Sequence, residues 1–238
     1  MRNVLIGSGL MLVCVILLTG CGQTQQTSQV NEHGIQATIQ TDCIVHYYKS
    51  NAANYITRQR HGYNPAEGFF HSVSAEPTGI VECTLLKDYY SYSGQEMDSL
   101  SDLPHQFWNR DLATSVFYSF CGSGGLIDLS SMTPGDNVKV EGQWYRPFIP
   151  SWPNQFNIIL YQSLDTNRVE LVQMEDSQQG RAWLLRSYNY RYSKELEKTL
   201  PRTIDAFDIQ DGIASKLLMI RFEYNDIRKV ETQVIPEP

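Results

Sequence analysis

The sequence has 238 residues, with 26 acidic against 19 basic side chains and a formal net charge of −7. An acidic chain without basic clusters lacks the cationic surface that nucleic acids require, so the composition excludes nucleic-acid binding. The length fits one domain or at most two and is sufficient to bury a sizeable core. The 14 Tyr, 9 Phe and 4 Trp residues suit a half-exposed sheet that contacts a partly apolar surface.

The first 20 residues have the composition of a secretory signal peptide. Arg2 is their only charged residue, and an apolar segment broken by one Gly-Ser-Gly stretch runs from Val4 to Leu18. This segment is shorter than the about 20 apolar residues of a transmembrane helix. Basic residues, which usually follow a stop-transfer segment, do not occur before Lys49. The pattern therefore predicts a signal peptide over residues 1–20.

The signal peptide ends in a motif for lipid attachment. The sequence Leu18-Thr19-Gly20-Cys21 resembles the bacterial lipobox, in which the cysteine is acylated and the chain is cleaved before it. The resemblance implies cleavage between Gly20 and Cys21 and a cell-envelope protein anchored to a membrane through acylated Cys21 rather than spanning it. An ordinary signal peptide with an incidental cysteine is the alternative.

The residue after the cysteine indicates which membrane holds the protein. In such lipoproteins an Asp at this position retains the protein at the inner membrane, and this chain has Gly22. The resemblance therefore implies the periplasmic face of the outer membrane, if the organism has two membranes.

Residues 21–38 are predicted to be the lipidated cysteine and a flexible tether. Residues 22–31 are rich in Gln, Thr and Ser and have no hydrophobic periodicity. Cleavage before Cys21 removes one Arg and no acid, which leaves 18 basic and 26 acidic residues and a net charge of −8. Residues 39–238 are predicted to form a single β domain.

Three cysteines fall within the predicted domain, at Cys43, Cys83 and Cys121. Their spacings match no zinc ribbon or knuckle. Two states remain open: one disulfide with one free thiol, as an oxidising compartment permits, or three buried thiols.

The residues before position 93 show the period-two alternation of consecutive strands. In the segment 43–48 the side chains of Cys43, Val45 and Tyr47 share one face, and Glu76-Pro77-Thr78-Gly79 is a turn sequence. Short strands separated by turns favour an antiparallel meander. The predicted strands here are 43–48, 54–61, 68–75 and 80–92.

One segment has helical periodicity instead. Its apolar residues recur at four- to five-residue steps, which is typical of one helix face. Asp102 is the predicted N-cap, and the glycines at 122–125 are the predicted end. We therefore expect one main amphipathic helix near 102–121 that packs on an apolar surface. Its apolar face comprises Leu103, Phe107, Trp108, Leu112, Val116, Phe117 and Phe120.

Strand alternation resumes after the helix. The predicted strands are 137–145, 156–162, 168–174, 182–192, 201–209 and 216–227. The chain is thus predicted to be mainly β (α+β), an antiparallel meander of about nine or ten strands with one helix in the middle.

Motifs for covalent or metal chemistry are weak. Ser123 lies in a glycine-rich stretch that follows a helix, whereas a nucleophile elbow lies between a strand and a helix, so a helix-capping loop is predicted. The same stretch lacks the Lys of a phosphate-binding loop. His46, His61 and His71 have no short metal-ligand spacing and are predicted to be isolated. No catalytic residue, metal ligand or cofactor is predicted.

Pairs of acidic residues raise the question of a glycosidase, which needs two carboxylates about 5 to 9.5 Å apart across a cleft. Acidic residues beside strands are usually solvated, so Asp205 and Asp208 are expected at the surface. The pairs are Glu175 with Asp176, Asp98 with Asp102, and Asp205 with Asp208.

A stripe of tyrosines gives the candidate ligand contacts. Tyr188, Tyr190 and Tyr192 alternate along one predicted strand, which indicates either ordinary cross-strand packing or the wall of a concave site. Apolar residues alternate in the same way along the last strand. The six candidate ligand-lining residues are Tyr188, Tyr190, Tyr192, Ile220, Phe222 and Tyr224.

The C-terminal half resembles the LolA/LolB-like lipoprotein-carrier superfamily. The resemblance lies in the order of paired strands, with Leu-Pro-Arg-Thr-Ile-Asp at 200–205 before the final alternating Ile-Arg-Phe-Glu-Tyr-Asn-Asp-Ile at 220–227. It implies a strongly curved, incompletely closed antiparallel half-barrel whose cavity binds acyl chains or other apolar ligands, without catalytic residues. The lipid anchor is similar to that of the membrane-bound acceptors of this superfamily, and the long helix frequent before the first strand is absent from the sequence pattern.

Three functional hypotheses follow. The first is a membrane-anchored, non-catalytic lipoprotein that binds a lipid-like or other apolar ligand, such as an acyl chain, on the concave face of the half-barrel. The second is an envelope lipoprotein that acts as a protein interaction or scaffold module. The third is a hydrolase of envelope glycans, which requires clustered carboxylates in a polar cleft.

Overall fold

The computed structural model describes residues 37–49, 52–76, 79–86, 89–93, 108–150, 157–176, 181–209 and 216–230. These residues form fifteen strands and one α-helix, α1 (Arg110–Ser123). The predicted signal peptide, Cys21 and nearly all of the predicted tether lie outside the described residues. The strands are β1 (Ile39–Lys49), β2 (Ala52–Asn64), β3 (Phe69–Glu76), β4 (Gly79–Leu86), β5 (Tyr89–Ser93), β6 (Thr133–Pro134), β7 (Val138–Val140), β8 (Gln143–Ile149), β9 (Asn157–Ser163), β10 (Val169–Asp176), β11 (Arg181–Tyr188), β12 (Arg191–Ser193), β13 (Lys198–Leu200), β14 (Thr203–Ile209) and β15 (Lys216–Lys229).

Thirteen strands form one antiparallel sheet, in the order β5-β4-β3-β2-β1-β15-β14-β11-β10-β9-β8-β6, with β7 also paired to β8. The first and last strands meet in the middle, where Cys43 lies opposite Tyr224. The two outer edges are therefore consecutive in sequence, and the connection between them contains α1. The sheet curves around this helix without closing into a barrel, which confirms the predicted mainly β fold with an open, curved antiparallel sheet.

The helix lies on one face of the sheet, which we call the concave face. Leu112, Val116 and Phe120 are fully buried on it, as predicted. The adjacent side of the helix is buried against β10 and β11. There Ser119 Oγ lies 2.9 Å from Ser187 Oγ, and Ser123 Oγ donates to the Val169 carbonyl oxygen at 2.6 Å. These small polar side chains let the helix backbone approach the sheet closely, so the curved sheet encloses the helix.

The helix ends differ from the prediction. Asn109, in an extended conformation, is the N-cap, and its side chain accepts from the Leu112 N–H at 2.8 Å. The helix therefore does not continue back through Trp108, and the predicted N-cap Asp102 lies outside the described residues. Within the described part of the chain, no helix is long and apolar enough to span a membrane.

The glycines at the helix end perform the predicted capping. Gly125 has φ 61°, a conformation that favours glycine, and its N–H donates to the Gly122 carbonyl oxygen at 3.1 Å. The N–H of Leu126 donates to the Cys121 carbonyl oxygen at 2.8 Å. This pair of hydrogen bonds is a Schellman motif, which satisfies the last carbonyls of the helix and turns the chain sharply.

Three predicted strands are each two strands in the structure. Residues 80–92 divide into β4 and β5, because Leu86 pairs with Tyr89 and the chain reverses between them. Residues 137–145 divide at Glu141 and Gly142, whose φ values of 50° and 90° form a tight turn between β7 and β8. Residues 182–192 divide at Asn189, which has φ 55°. Such short reversals raise the number of strands above the predicted nine or ten, since alternation alone does not mark a tight turn.

The three cysteines of the domain, Cys43, Cys83 and Cys121, are buried free thiols. Of the two states left open by the sequence, the structure has three buried thiols.

Candidate functional site

An open groove of about 510 Å³ lies beside α1 on the concave side of the molecule. Its floor is the helix, through Phe117 and Tyr118. Its two walls come from opposite halves of the sheet: the β2–β3 turn on one side, and the segment after the helix together with the end of β8 on the other. The lining residues are Pro65, Ala66, Gly68, Phe117, Tyr118, Leu126, Ile127, Asp128, Ser131, Met132 and Pro150.

Local turn chemistry positions both walls. In the β2–β3 turn, the Glu67 N–H donates to the Asn64 carbonyl oxygen at 3.2 Å, and Gly68 with φ 62° directs the chain into β3. On the other side, the Schellman motif turns the chain after the helix, which brings Leu126 and Ile127 to the groove. The groove therefore lies between segments from opposite halves of the sheet, with the helix between them.

A short 3₁₀-helix, Leu129–Ser131, forms the polar end of the groove. Asp128 is its N-cap: one carboxylate oxygen accepts from the Ser130 N–H at 2.9 Å and the other from Ser130 Oγ at 2.7 Å. These hydrogen bonds from Ser130 lower the pKa of Asp128 below its ordinary value, so the carboxylate is ionised at neutral pH.

The floor of the groove is uncharged. Burial raises the pKa of Tyr118 to about 12, so its phenol is neutral at neutral pH. Among the described residues that line the groove there is no Lys, Arg or His. The site therefore combines apolar side chains, neutral hydroxyl groups and one carboxylate, and its lining is about as polar as it is apolar, which suits an amphiphilic ligand with an uncharged polar end.

The six candidate ligand-lining residues do not share one surface. Ile220, Phe222 and Tyr224 point to the concave face, as expected, but they are buried in the core. The Phe222 ring packs 5.9 Å from Trp108, and the Tyr224 ring 5.0 Å from Phe120, between centroids. The protein's own side chains thus fill this part of the concave face.

The three tyrosines are separated from one another. Tyr188 lies on the opposite, convex face, where its hydroxyl donates to Asp205 at 2.9 Å. β11 ends at Tyr188, so Tyr190 does not continue the alternation of that strand. The Tyr190 hydroxyl donates to the Ser187 carbonyl oxygen at 3.2 Å. Tyr192, in the separate β12–β13 hairpin, is 62% exposed. The predicted continuous stripe was therefore wrong, and the role of the six residues as ligand contacts stays a prediction from the sequence.

The histidines occupy separate environments. His61 is fully buried, with Nε2 2.9 Å from Gln59 Oε1 and Nδ1 3.3 Å from the Tyr63 hydroxyl. Burial, with a smaller effect of His71, lowers the pKa of His61 to about 3, so the ring is neutral. His71 Nδ1 bonds Thr84 at 2.9 Å, and His46 faces Glu223. No three His, Cys, Asp or Glu side chains in the described residues are placed to hold a metal ion.

Asp205 and Asp208 are buried, in contrast to the predicted surface position. They lie on opposite faces of β14, because Asp208 pairs with the core residue Trp183 whereas Asp205 pairs with Arg186 on the convex face. Arg221 and Tyr188 hydrogen-bond both oxygens of Asp205. The two carboxylates therefore do not face one another across a cleft, as a glycosidase pair does.

Sequence comparison and structure comparison give different results. No family model matches the chain, and no curated protein matches it. Among solved structures, a LolA superfamily protein from Nitrosomonas europaea has a TM-score of 0.55 at 12% identity, over 82% of this chain and 87% of that one. The fold is LolA-like. At this identity the likeness concerns the fold alone.

A second solved structure, a domain from Vibrio parahaemolyticus named for outer membrane lipoprotein sorting, has a TM-score of 0.46 at 13% identity, over 84% of this chain and 86% of that one.

The groove was not predicted from the sequence, because four separate segments build it. Only the glycines after the helix and the Asn64-Pro65 turn signal mark two of them in the sequence.

Proposed function

We propose that this protein is a membrane-anchored extracytoplasmic lipoprotein that binds the apolar chain of a lipid-like ligand without covalent chemistry. The observation that carries the proposal is the groove between the two halves of the LolA-like sheet, with its apolar walls and helical floor. A volume of about 510 Å³ falls in the range of small-molecule sites, which are typically about 300 to 1,000 Å³.

The charges of the groove select the ligand class. An acyl chain contacts Phe117 on the floor of the groove and Leu126, Ile127 and Met132 on one wall. Burial of apolar surface stabilises the complex by about 25 cal/mol per Å². At the polar end, the ionised Asp128 repels a fatty-acid carboxylate, and no cationic lining residue among those described offsets this repulsion. A ligand with an uncharged polar end, such as an ester, amide or alcohol, fits the groove better than a free fatty acid.

The anchor belongs to the same proposal. Acylation of Cys21, followed by removal of residues 1–20, holds the protein at a membrane surface, and residues 22–38 form the tether between the acyl chains and the β domain of residues 39–238. With Gly22 after the cysteine, the protein resides at the periplasmic face of the outer membrane in a bacterium with two membranes. Mass spectrometry of the membrane-extracted protein tests the anchor, since acylation adds a defined mass to a chain that begins at Cys21.

Binding is tested on a soluble protein that begins at Gly22 and is purified without detergent. Native mass spectrometry is expected to detect added mass that organic extraction releases as a lipid. Displacement of a fluorescent apolar probe, N-phenyl-1-naphthylamine, is expected to rank an alkyl alcohol above the fatty acid of equal chain length. A clean mass together with no probe binding would contradict the ligand proposal and favour the envelope interaction module.

A matched pair of variants locates the binding. Ala66 is exposed on the β2–β3 turn and lines the groove, so Ala66→Trp fills the groove without disturbing the core. We expect it to weaken probe binding at least tenfold. Glu67→Trp, at the next position of the same turn, adds the same side chain outside the groove and is expected to leave binding unchanged. Equal binding by both variants would place the probe elsewhere.

A further inference from the structure

A second groove, of about 680 Å³, lies beside the end of β11, the start of β14 and the middle of β15, next to the segment that connects β11 to β12. It is separate in its lining residues from the apolar groove, and two arginines, Arg191 and Arg202, line it. The chain has a net charge of −7, so a polar groove lined by two guanidinium groups is a local exception to its acidic character.

The backbone around the groove holds Arg202 in place. Its N–H donates to the carbonyl oxygen of Asn189 at 3.2 Å, and its own carbonyl accepts from the Tyr224 N–H at 2.8 Å. In the side chain, Nη1 donates to the carbonyl oxygens of Tyr224 and Asn225. The guanidinium is thus oriented before any ligand binds, which lowers the entropy cost of binding.

The charge of Arg202 is incompletely balanced by protein acids. Partial burial, and then the positive charge of Arg191, lower its pKa from the ordinary value, while Asp226 acts in the opposite sense. Asp226 lies 3.2 Å from Arg228, and Glu223, which also lines the groove, lies 3.4 Å from His46. Arg191 and Arg202 are therefore two like charges close to one another, while Asp226 also pairs with Arg228 and Glu223 contributes one carboxylate to the groove.

Neutral hydrogen-bond donors line the groove beside the two arginines. Asn189 Nδ2 donates to Thr203 Oγ1 at 3.1 Å, so the Thr203 hydroxyl hydrogen and the second amide hydrogen of Asn189 are still available as donors.

We propose that this groove binds a phosphate group between Arg191 and Arg202, with Asn189 and Thr203 as neutral donors. The Arg191 guanidinium presents a planar fork of N–H donors that matches two phosphate oxygens, and Arg202 adds the Nη2 donors that its backbone hydrogen bonds through Nη1 leave. A carboxylate has only two oxygens and is satisfied by one fork, whereas a phosphate has enough oxygens for both. The phosphate can belong to a lipid headgroup or to a soluble phosphate compound.

Calorimetric titration of the full chain in neutral detergent with inorganic phosphate tests the proposal at constant ionic strength. Arg191→Gln removes one exposed guanidinium, and we expect phosphate affinity to fall at least fivefold. Arg58→Gln removes the same charge from an exposed position on β2, outside the groove, and is expected to bind phosphate like the parent protein. Arg202→Lys keeps the charge but loses the fork, and a loss of affinity there shows that fork geometry is required.

Two results would overturn the proposal: no phosphate binding by the parent protein, or equal weakening by Arg191→Gln and Arg58→Gln. A second titration, with a short-chain phosphatidic acid, distinguishes the two sources of the phosphate. Affinity at least tenfold above that for inorganic phosphate identifies a lipid headgroup, and equal affinity identifies a soluble phosphate compound. Both ligands are expected to lose affinity in Arg191→Gln, and the apolar-groove variant Ala66→Trp is expected to retain phosphate binding.

Discussion

Arg221 and Asp205 form a two-point ion pair on the convex face of the sheet. Arg221 Nε lies 2.7 Å from Asp205 Oδ1, and Nη2 lies 2.9 Å from Oδ2. The two residues are opposite one another on β15 and β14. Asp205 is 6% exposed, so the pair and the Tyr188 hydroxyl satisfy a carboxylate that has little access to water.

Arg221→Met is expected to destabilise the protein, because it leaves the buried Asp205 carboxylate with only the Tyr188 hydroxyl. Breaking a fully buried pair costs about 3–5 kcal/mol, and we expect about 2 kcal/mol here because Arg221 is partly exposed. Urea unfolding measures the change. The double variant Asp205→Asn/Arg221→Met is expected to lose less than the sum of the two single variants, and strict additivity would contradict a coupled pair.

His61 makes the stability of the protein sensitive to acid. Its pKa is about 3 in the folded state and about 6.5 in an unfolded chain. Because the folded pKa is the lower one, the unfolded state takes up the proton first, and stability is lost as the pH falls from about 6.5 toward 3. The expected loss is roughly 1.4 kcal/mol per pH unit over this window.

Urea unfolding at pH 7 and at pH 5 tests this contribution. The parent protein is expected to lose more stability than His61→Gln between the two pH values, by about 2 kcal/mol. His71, whose burial also lowers its pKa, is present in both proteins and cancels in the comparison. Parallel pH profiles for the two proteins would show that His61 is not the group responsible.

The three domain thiols are expected to be unreactive in the folded protein. Burial raises the pKa of Cys43 and Cys121 well above the ordinary value, and that of Cys83 to about 12, and the thiolate is the reactive form. In a protein that begins at Gly22, an aromatic disulfide reagent is expected to modify no thiol under native conditions and three thiols in urea. Two fewer reactive thiols in urea would instead indicate a disulfide.

Three neighbouring glycines at the end of α1 are expected to respond differently to alanine. A Cβ at Gly122 makes only ordinary contacts, so Gly122→Ala is expected to be neutral or to stabilise the helix by up to about 1 kcal/mol. Gly125→Ala is expected to cost about 1 kcal/mol because of its positive φ. At Gly124 a Cβ lies 2.4 Å from the buried Leu200, and a cost of about 1–3 kcal/mol is expected.

Thermal or urea unfolding of the three variants measures these differences. The ordering is specific to the Schellman geometry, since helix propensity alone predicts that alanine is favourable at every one of the three positions. Stabilisation by Gly125→Ala would show that the chain does not adopt this cap.

A substitution of Tyr192 tests whether the ligand contacts are the tyrosines predicted from the sequence or the residues of the groove. It is 62% exposed in the β12–β13 hairpin and does not line the apolar groove. Tyr192→Ser is therefore expected to change probe affinity by less than twofold, whereas Ala66→Trp weakens it. A large loss of probe binding in Tyr192→Ser alone would restore the tyrosine stripe as the ligand wall and exclude the groove.

Local periodicity in the sequence is enough to specify several features of the fold. Side-chain alternation along β1 correctly predicted that Cys43, Val45 and Tyr47 share one face, and all three are buried. The helical period predicted burial of Leu112, Val116 and Phe120, and the glycines predicted the helix end. These patterns are readable because each depends on residues within one element.

Tertiary structure alone decided the pairing of the first strand with the last, the packing of the helix against the curved sheet, and the position of the groove. The hydrogen bond between the Tyr63 and Tyr224 hydroxyls joins residues 161 positions apart, and no local pattern specifies such a contact. The groove is built by four segments that are distant in sequence: the β2–β3 turn, the helix, the segment after the helix and the end of β8. The same curvature turned the predicted concave ligand contacts Ile220, Phe222 and Tyr224 into core residues, because the helix occupies the space in front of them.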